Sequence, residues 1–192
     1  MTRRIKHSQE DRGLDLYETP PIAVQWLIRA ETLPKRLWEP QCGRMAIVKM
    51  LRSHGHSVYA SDIVNRNNID QNGVMDFLQC TTAPSGVDGA VMNPPFDGAA
   101  LHIQHALTLV PYVAALLRLT FLEGGNKVSR SGRARLAIMD GGQLARVHIF
   151  RSRLPMMHRD GWTGPISTSQ TGYAWFIWER EHRGPPTVFR IA

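Results

Sequence analysis

The sequence predicts an α/β fold: a doubly wound, mostly parallel sheet closed by a terminal antiparallel hairpin. Three observations predict it. Short apolar runs of strand length alternate with stretches whose apolar residues recur at helical spacing. One such run, Val87-Asp88-Gly89-Ala90-Val91-Met92, is cut off by Asn93-Pro94-Pro95-Phe96, a sharp strand end where open α/β sheets place their ligands. The last two runs, Arg146 to Phe150 and Tyr173 to Trp178, have no long helical stretch between them. That fits a hairpin better than another crossover.

Each element has a local reason. Residues 1 to about 15 are polar and are expected to form a flexible basic tail. Thr19-Pro20-Pro21 reads as a helix start, with Thr19 as N-cap and Pro20 in the first turn; Ile22, Val24, Trp26, Leu27 and Ala30 then follow at mostly helical spacing. Arg36 to Glu39 is the first strand. A helix from about Arg44 to Ser53 ends at Gly55, suited to the left-handed position beyond a helix. Ser57 to Ser61 is the second strand, and a short third is expected near Val74, after an Asn-rich stretch. Pro94 and Pro95 end the fourth, since each fixes its own φ and pushes the preceding residue out of the helical region. A helix from about Gly98 to Leu109, a fifth strand from Tyr112 to Leu119, and one or two helices within 121–145 lead to the final pair of strands.

Composition bounds the function. At 192 residues the chain is most simply one domain, 16–192, with a substantial core. A hydrophobic fraction of 43% with 20% charged residues suits an ordinary globular protein. No apolar stretch reaches membrane-spanning length, and the basic start lacks the apolar segment of a signal peptide. Cys42 and Cys80 have no metal-ligand spacing and suit a reduced cytoplasm. His102 and His105 lie three apart on an expected helix with no third ligand in view, which reads as two solvated histidines and no metal site. The net charge of +7 favours a polyanionic partner.

The chemistry centres on Asn93-Pro94-Pro95-Phe96. A side-chain amide on a stiff turn, followed by one large ring, makes a clamp for an exocyclic amino group; the bland alternative is a strand-ending turn with a core Phe. These four residues resemble the Asn-Pro-Pro-Phe motif of amino-methyltransferases that use S-adenosyl-L-methionine, above all the adenine-N6 type acting on DNA. Glu18-Thr19-Pro20-Pro21, Trp38-Glu39-Pro40-Gln41-Cys42-Gly43, Ser61-Asp62 and Asp76-Phe77 stand in the order that family uses. The resemblance covers roughly residues 17 to 180, and the chain is similar to small phage- or prophage-borne members without a separate target-recognition domain.

The resemblance implies a Rossmann-like class I methyltransferase, an α/β three-layer sandwich around a mostly parallel seven-stranded sheet. It assigns catalysis to Asn93, Pro94, Pro95 and Phe96, with Asn93 also beside the cofactor. The turn Glu39, Pro40, Gln41, Cys42 and Gly43 would hold the cofactor's amino acid part, Asp62 its ribose with Ile63 alongside, and Asp76 and Phe77 its adenine. Tyr17, Thr19 and Pro20 would close the same site. Position 45 carries Met where the family usually has glycine. We expect the turn there to relax to negative φ, with Met45 pointing into the core.

A basic tract from Arg118 to Arg159, including Arg146, is expected to track a phosphate backbone through Arg130, Arg133, Arg135, Arg151, Arg153, His158 and Arg159. The loop Pro155 to Trp162 is placed to overhang the substrate. Together these readings give methyl transfer to an exocyclic amino nitrogen, adenine N6 in DNA ahead of RNA, in the cytoplasm. The alternatives are an RNA base, a protein glutamine amide, or a non-catalytic nucleic-acid-binding module of the same fold. The oligomeric state is not readable from these features.

Overall fold

The computed structural model describes residues 18–156 and 171–191. In chain order its elements are α1 (Pro21–Ala30), β1 (Arg36–Glu39), α2 (Ala46–Ser53), β2 (Ser57–Asp62), β3 (Gly73–Val74), β4 (Gly89–Met92), α3 (Ala99–Leu109), β5 (Tyr112–Arg118), α4 (Arg130–Asp140), β6 (Leu144–Phe150), β7 (Tyr173–Glu179) and β8 (Thr187–Ile191). The strands form one sheet in the order β3-β2-β1-β4-β5-β7-β6-β8. Only β7 runs against its neighbours, pairing antiparallel with β5 and β6. The chain steps from β1 outward to β2 and β3, then returns to lay β4 on the other side of β1. That reversal opens a crevice at the carboxyl ends of β1 and β4.

Period-two alternation splits the core into two layers. Leu37, Val91, Ala114, Leu116, Trp175 and Ile177 face α1 and α2. Trp38, Ala90, Met92, Val113, Ala115 and Trp178 face α3 and α4. The tryptophans also fasten the helices, because a buried indole N–H needs an acceptor. Trp175 Nε1 donates to the Ala23 carbonyl of α1, and Trp178 Nε1 to the Ile138 carbonyl of α4, each at 2.8 Å.

The eighth strand departs from the seven expected. Thr187–Ile191 pairs parallel with the outer edge of β6. It follows Pro185-Pro186 and is exposed along most of its length, although Thr187 to Ile191 carries the β-branched and aromatic residues that favour a strand. The region 121–145 holds one α-helix, α4, whose N-cap Ser129 accepts from Gly132 N–H at 2.9 Å.

Thr19 is not the cap of α1. Pro20 occupies that place with ψ 137°, and no side chain caps the helix. Pro21 excludes the helical region for the residue before it, so the first turn begins one residue late and Thr19 is drawn inward.

Arg146 also leaves the basic tract. Its guanidinium is paired with Glu31 (Nε–Oε1 2.7 Å) and with Glu179. His148 Nε2 lies 2.5 Å from the same Glu31 oxygen, and the Tyr112 hydroxyl donates to Oε2 at 3.2 Å. Burial pushes the Glu31 carboxyl up, but its hydrogen bonds with His148 and Arg146 outweigh that and hold it below the usual carboxylate range. This network ties the end of α1 to β5, β6 and β7.

Candidate active site

A cavity of about 400 Å³ lies where the carboxyl ends of β1, β2 and β4 meet. Its floor is the turn after β1. Strand β1 carries Glu39 into the interior, 1% exposed, and neither carboxylate oxygen has a hydrogen-bond partner among the described residues. Burial, and then the nearby Asp62, push its pKa well above the ordinary glutamate value, against a smaller opposing pull from the Gln41 backbone N–H, which does not reach regular hydrogen-bond geometry. The side-chain amide of Gln41, on the same turn, is buried with no partner among the described residues. These unpartnered atoms on a cavity wall call for a ligand with donors, a cationic one above all.

The turn is tightly held. Cys42 N–H donates to the Ser61 carbonyl at 2.9 Å, Gly43 N–H to Asp62 Oδ2 at 2.8 Å, and Asn68 Nδ2 to the Gly43 carbonyl at 3.0 Å. Burial, with Glu39 and Asp62 adding to it, pushes the Cys42 thiol up to about 12, so it is no nucleophile. Gly43 has φ 49° and Met45 φ 72°.

That corrects the expectation for Met45. The turn has not relaxed to negative φ, although the side chain does lie in the core, 2% exposed among the α1 and α2 contacts. Met45 N–H donates to the Cys42 carbonyl at 2.7 Å while its own carbonyl accepts the first bond of α2, from Lys49 N–H at 2.8 Å. Both bonds together keep the left-handed conformation. Burial of the thioether offsets its cost of about 1–2 kcal/mol. Met45 does not line the cavity, whereas Arg44 and Ala46 on either side of it do.

Asp62 caps β2 and binds two loops at once, Oδ2 accepting from Gly43 and Oδ1 from Val64 N–H at 3.0 Å. Each oxygen retains a further lone pair for a ligand. Ile63 follows on the rim, 61% exposed. Asp76 caps a short 3-10 turn over Phe77–Gln79, Oδ1 accepting from Leu78 N–H at 3.0 Å. Phe77 is a core residue that also borders the cavity. Its ring is edge-on to Trp38 at 5.1 Å and to His105 at 5.0 Å, and nearly parallel to His102 at 6.0 Å. Neither histidine is a solvated side chain, as the sequence had suggested.

At the end of β4, Asn93 Nδ2 donates to Thr19 Oγ1 at 3.1 Å, so the buried Thr19 sets the orientation of the amide. The amide oxygen is thereby turned away from Thr19. Pro94 and Pro95 follow with trans bonds. Phe96 is half-buried, and the Arg118 guanidinium lies 3.9 Å over its ring, with Nε donating to the Tyr173 hydroxyl at 3.4 Å. Thus Thr19, Glu39 to Gly43, Asp62, Ile63, Asp76, Phe77 and Asn93 to Phe96 line one cavity. Sequence reasoning missed Arg44, Arg66 and His102 on its wall, and Arg118 on Phe96. Only the position of Arg118 at the end of an apolar strand could have signalled it.

Of the basic tract, the described residues Arg130, Arg133, Arg135, Arg151 and Arg153 do not line the cavity. Arg133 Nη1 donates to the Val128 carbonyl at 2.6 Å. Arg135 donates to the carbonyls of Thr120 and Phe121 at 2.7 and 3.1 Å, with its guanidinium 4.2 Å over the Phe121 ring. Arg130, Arg151 and Arg153 are exposed. All of them follow the carboxyl ends of β5 or β6, which puts them at the cavity's end of the sheet. Tyr17, His158, Arg159, most of the loop to Trp162 and the basic tail lie outside the described residues. Among the described residues, no helix is long and apolar enough to cross a membrane, and no three His, Cys, Asp or Glu side chains group as metal ligands.

No protein-family model matches the chain, and a search of curated proteins finds no relative. Solved structures share its fold at low identity. A modification subunit assigned to a type I restriction enzyme of Vibrio vulnificus aligns over 95% of this chain and 49% of its own, with TM-score 0.61 and 12% identity. The present chain therefore spans about half the length of that subunit. A protein of Pyrococcus horikoshii assigned as an RNA methyltransferase aligns over 86% of this chain and 87% of its own, with TM-score 0.58 and 13% identity. A dimethyladenosine transferase of Plasmodium falciparum aligns over 85% and 62%, with TM-score 0.51 and 13% identity. The chain shares its Rossmann-like fold with these proteins.

Proposed function

We propose that the chain is an S-adenosyl-L-methionine-dependent methyltransferase acting on an exocyclic amino nitrogen, that of adenine N6 in DNA. The observation that carries this is Glu39: a buried carboxylate with two unpartnered oxygens, in the cavity that also holds Asn93. The cofactor's amino acid end brings the ammonium that such a carboxylate lacks, and Asp62 and Asp76 have acceptor capacity left for its ribose and adenine. When bound, the cofactor supplies the methyl group as an electrophile on a sulfonium, so the protein need not generate one.

The chain's own work is orientation. An exocyclic amine on an aromatic ring is a poor nucleophile, since its lone pair is delocalised. Asn93 Oδ1 and the Pro94 carbonyl accept its two N–H bonds and favour a pyramidal nitrogen, which is catalysis by positioning. Thr19 holds the Asn93 amide in the required sense. No base would be needed before attack: the N–C bond would form as the sulfonium–methyl bond breaks, and the methylated nitrogen would then lose its extra proton to water. Phe96 would stack on a base taken out of its helix, the base competing with the Arg118 guanidinium that lies over the ring.

Exposed Arg130, Arg151 and Arg153 at the same end of the sheet support a nucleic-acid substrate. Met45, off the cavity wall, does not obstruct the cofactor turn, which favours a working enzyme over a binding module. The test is incubation with methyl-labelled S-adenosyl-L-methionine and DNA, RNA or protein separately, followed by nucleoside analysis. Label in N6-methyl-2′-deoxyadenosine from DNA is expected; label only in RNA or protein refutes the substrate, and no cofactor binding refutes the enzyme.

A further inference from the structure

His102 on α3 lines the cavity, and nothing above gives it a role. Its Nδ1 lies 3.1 Å from the Gly98 carbonyl oxygen. A carbonyl can only accept, so Nδ1 carries the proton and Nε2 of the neutral ring keeps a lone pair. Burial pushes the imidazole below its ordinary pKa; the Gly98 hydrogen bond and Asp76 oppose that without overcoming it. Among the described residues, neither Nε2 of His102 nor Oδ2 of Asp76 has a hydrogen-bond partner. Phe77 sits beside both. Its ring is 14° from parallel to that of His102, and is itself wedged edge-on against Trp38 and His105. The imidazole plane is therefore set by packing as well as by its hydrogen bond. Two side-chain acceptors, one on the exposed Asp76 and one on the half-buried His102, thus lie on the cavity wall next to Phe77, close enough for the Asp76 charge to act on the imidazole. An amino group satisfies such a pair with its two N–H bonds, whereas a carbonyl at the same place meets lone pairs only.

We propose that His102 is a specificity-determining residue which, with Asp76, selects a 6-amino purine over a 6-oxo purine at the nucleoside end of this cavity. The proposal rests on the cofactor reading above and adds to it a residue and a discrimination.

The experiment compares calorimetric binding of S-adenosylhomocysteine with that of its 6-oxo counterpart, S-inosylhomocysteine, to the full chain. The variants are His102→Phe, which keeps a ring, and His102→Gln, whose amide can present either end; circular dichroism checks their folds. Wild type should prefer the 6-amino compound by about 10-fold or more, the scale of one unpaired acceptor. His102→Phe should lose most of that preference. His102→Gln should lose it by binding the 6-oxo compound more tightly, and it decides the matter should His102→Phe fail to fold. An unchanged ratio in a folded variant overturns the role of His102 while the cofactor reading stands. Wild type that binds neither compound overturns both.

Discussion

Met45→Gly and Met45→Ala form a pair whose difference reports the backbone at the start of α2. Either change removes a buried thioether, and Met45→Ala should cost about 2–5 kcal/mol, as other large-to-small core changes do. At an ordinary buried position glycine would be worse again. The missing methyl adds roughly 0.8 kcal/mol and the looser unfolded chain about 0.5–1 kcal/mol, together about 1.5 kcal/mol. Met45 has φ 72°, so wild type and the alanine variant both carry the left-handed cost, and only glycine sheds it. That relief, about 1–2 kcal/mol, is of the size of the glycine handicap. The two variants should therefore fall within about 1 kcal/mol of each other in urea unfolding, with m unchanged. A glycine variant weaker than alanine by 1.5 kcal/mol or more would show the left-handed turn to be wrong. Affinity for S-adenosyl-L-methionine should be the same in wild type and Met45→Gly, because the side chain is not on the cavity wall; clear tightening in the mutant would mean that it crowds the site.

Asn93→Ala should lower kcat/KM by about 3 kcal/mol or more with cofactor binding intact, and Thr19→Val, which leaves the amide present but unheld, by less; full activity in Asn93→Ala removes it from catalysis. Phe96→Ala should weaken substrate binding by about 1–3 kcal/mol if the ring stacks on a base. Glu39 and Glu31 should give opposite pH dependences. The raised Glu39 pKa makes the ligand-free fold lose stability as pH rises from the ordinary glutamate value through the raised one, and cofactor binding there should release a proton; Glu39→Gln removes both effects in calorimetry across buffers. The lowered pKa of Glu31 contributes stability above the ordinary glutamate value that is lost as pH falls through the lowered one, and Glu31→Gln should abolish that acid limb in pH-dependent unfolding. Neutralising Arg130, Arg151 and Arg153 should flatten the plot of log DNA affinity against log salt, by about 0.9 for each phosphate left without its arginine. Arg135→Ala, which removes bonds to two backbone carbonyls, should cost about 1–3 kcal/mol of stability and leave that slope nearly unchanged.

What the sequence determined by itself is local. The order of elements up to β7, the strand end at Asn93 and the turn after Glu39 are written in apolar periodicity and in prolines and glycines, whose effects act within a few residues. Ordered motifs then named most of the cavity wall before any distance was known. Only tertiary structure decided what the polar side chains do, because their partners lie far along the chain. Arg146 looked like one more phosphate-binding cation until Glu31, over a hundred residues away, was found to pair with it. Thr19 left its cap and instead accepts a hydrogen bond from Asn93, 74 residues on, inside the cavity. His102 turned from solvent to Phe77, and Arg118 came to lie on Phe96. Strand β8, short and exposed at the sheet edge, was overlooked although Thr187 to Ile191 are strand formers; its main-chain pairing with β6 and the stacking of Phe189 on His148 became visible only in the fold. Met45 shows both sides at once. Its hydrophobicity foretold burial, while its φ was set by the hydrogen bonds of the turn and the helix on either side.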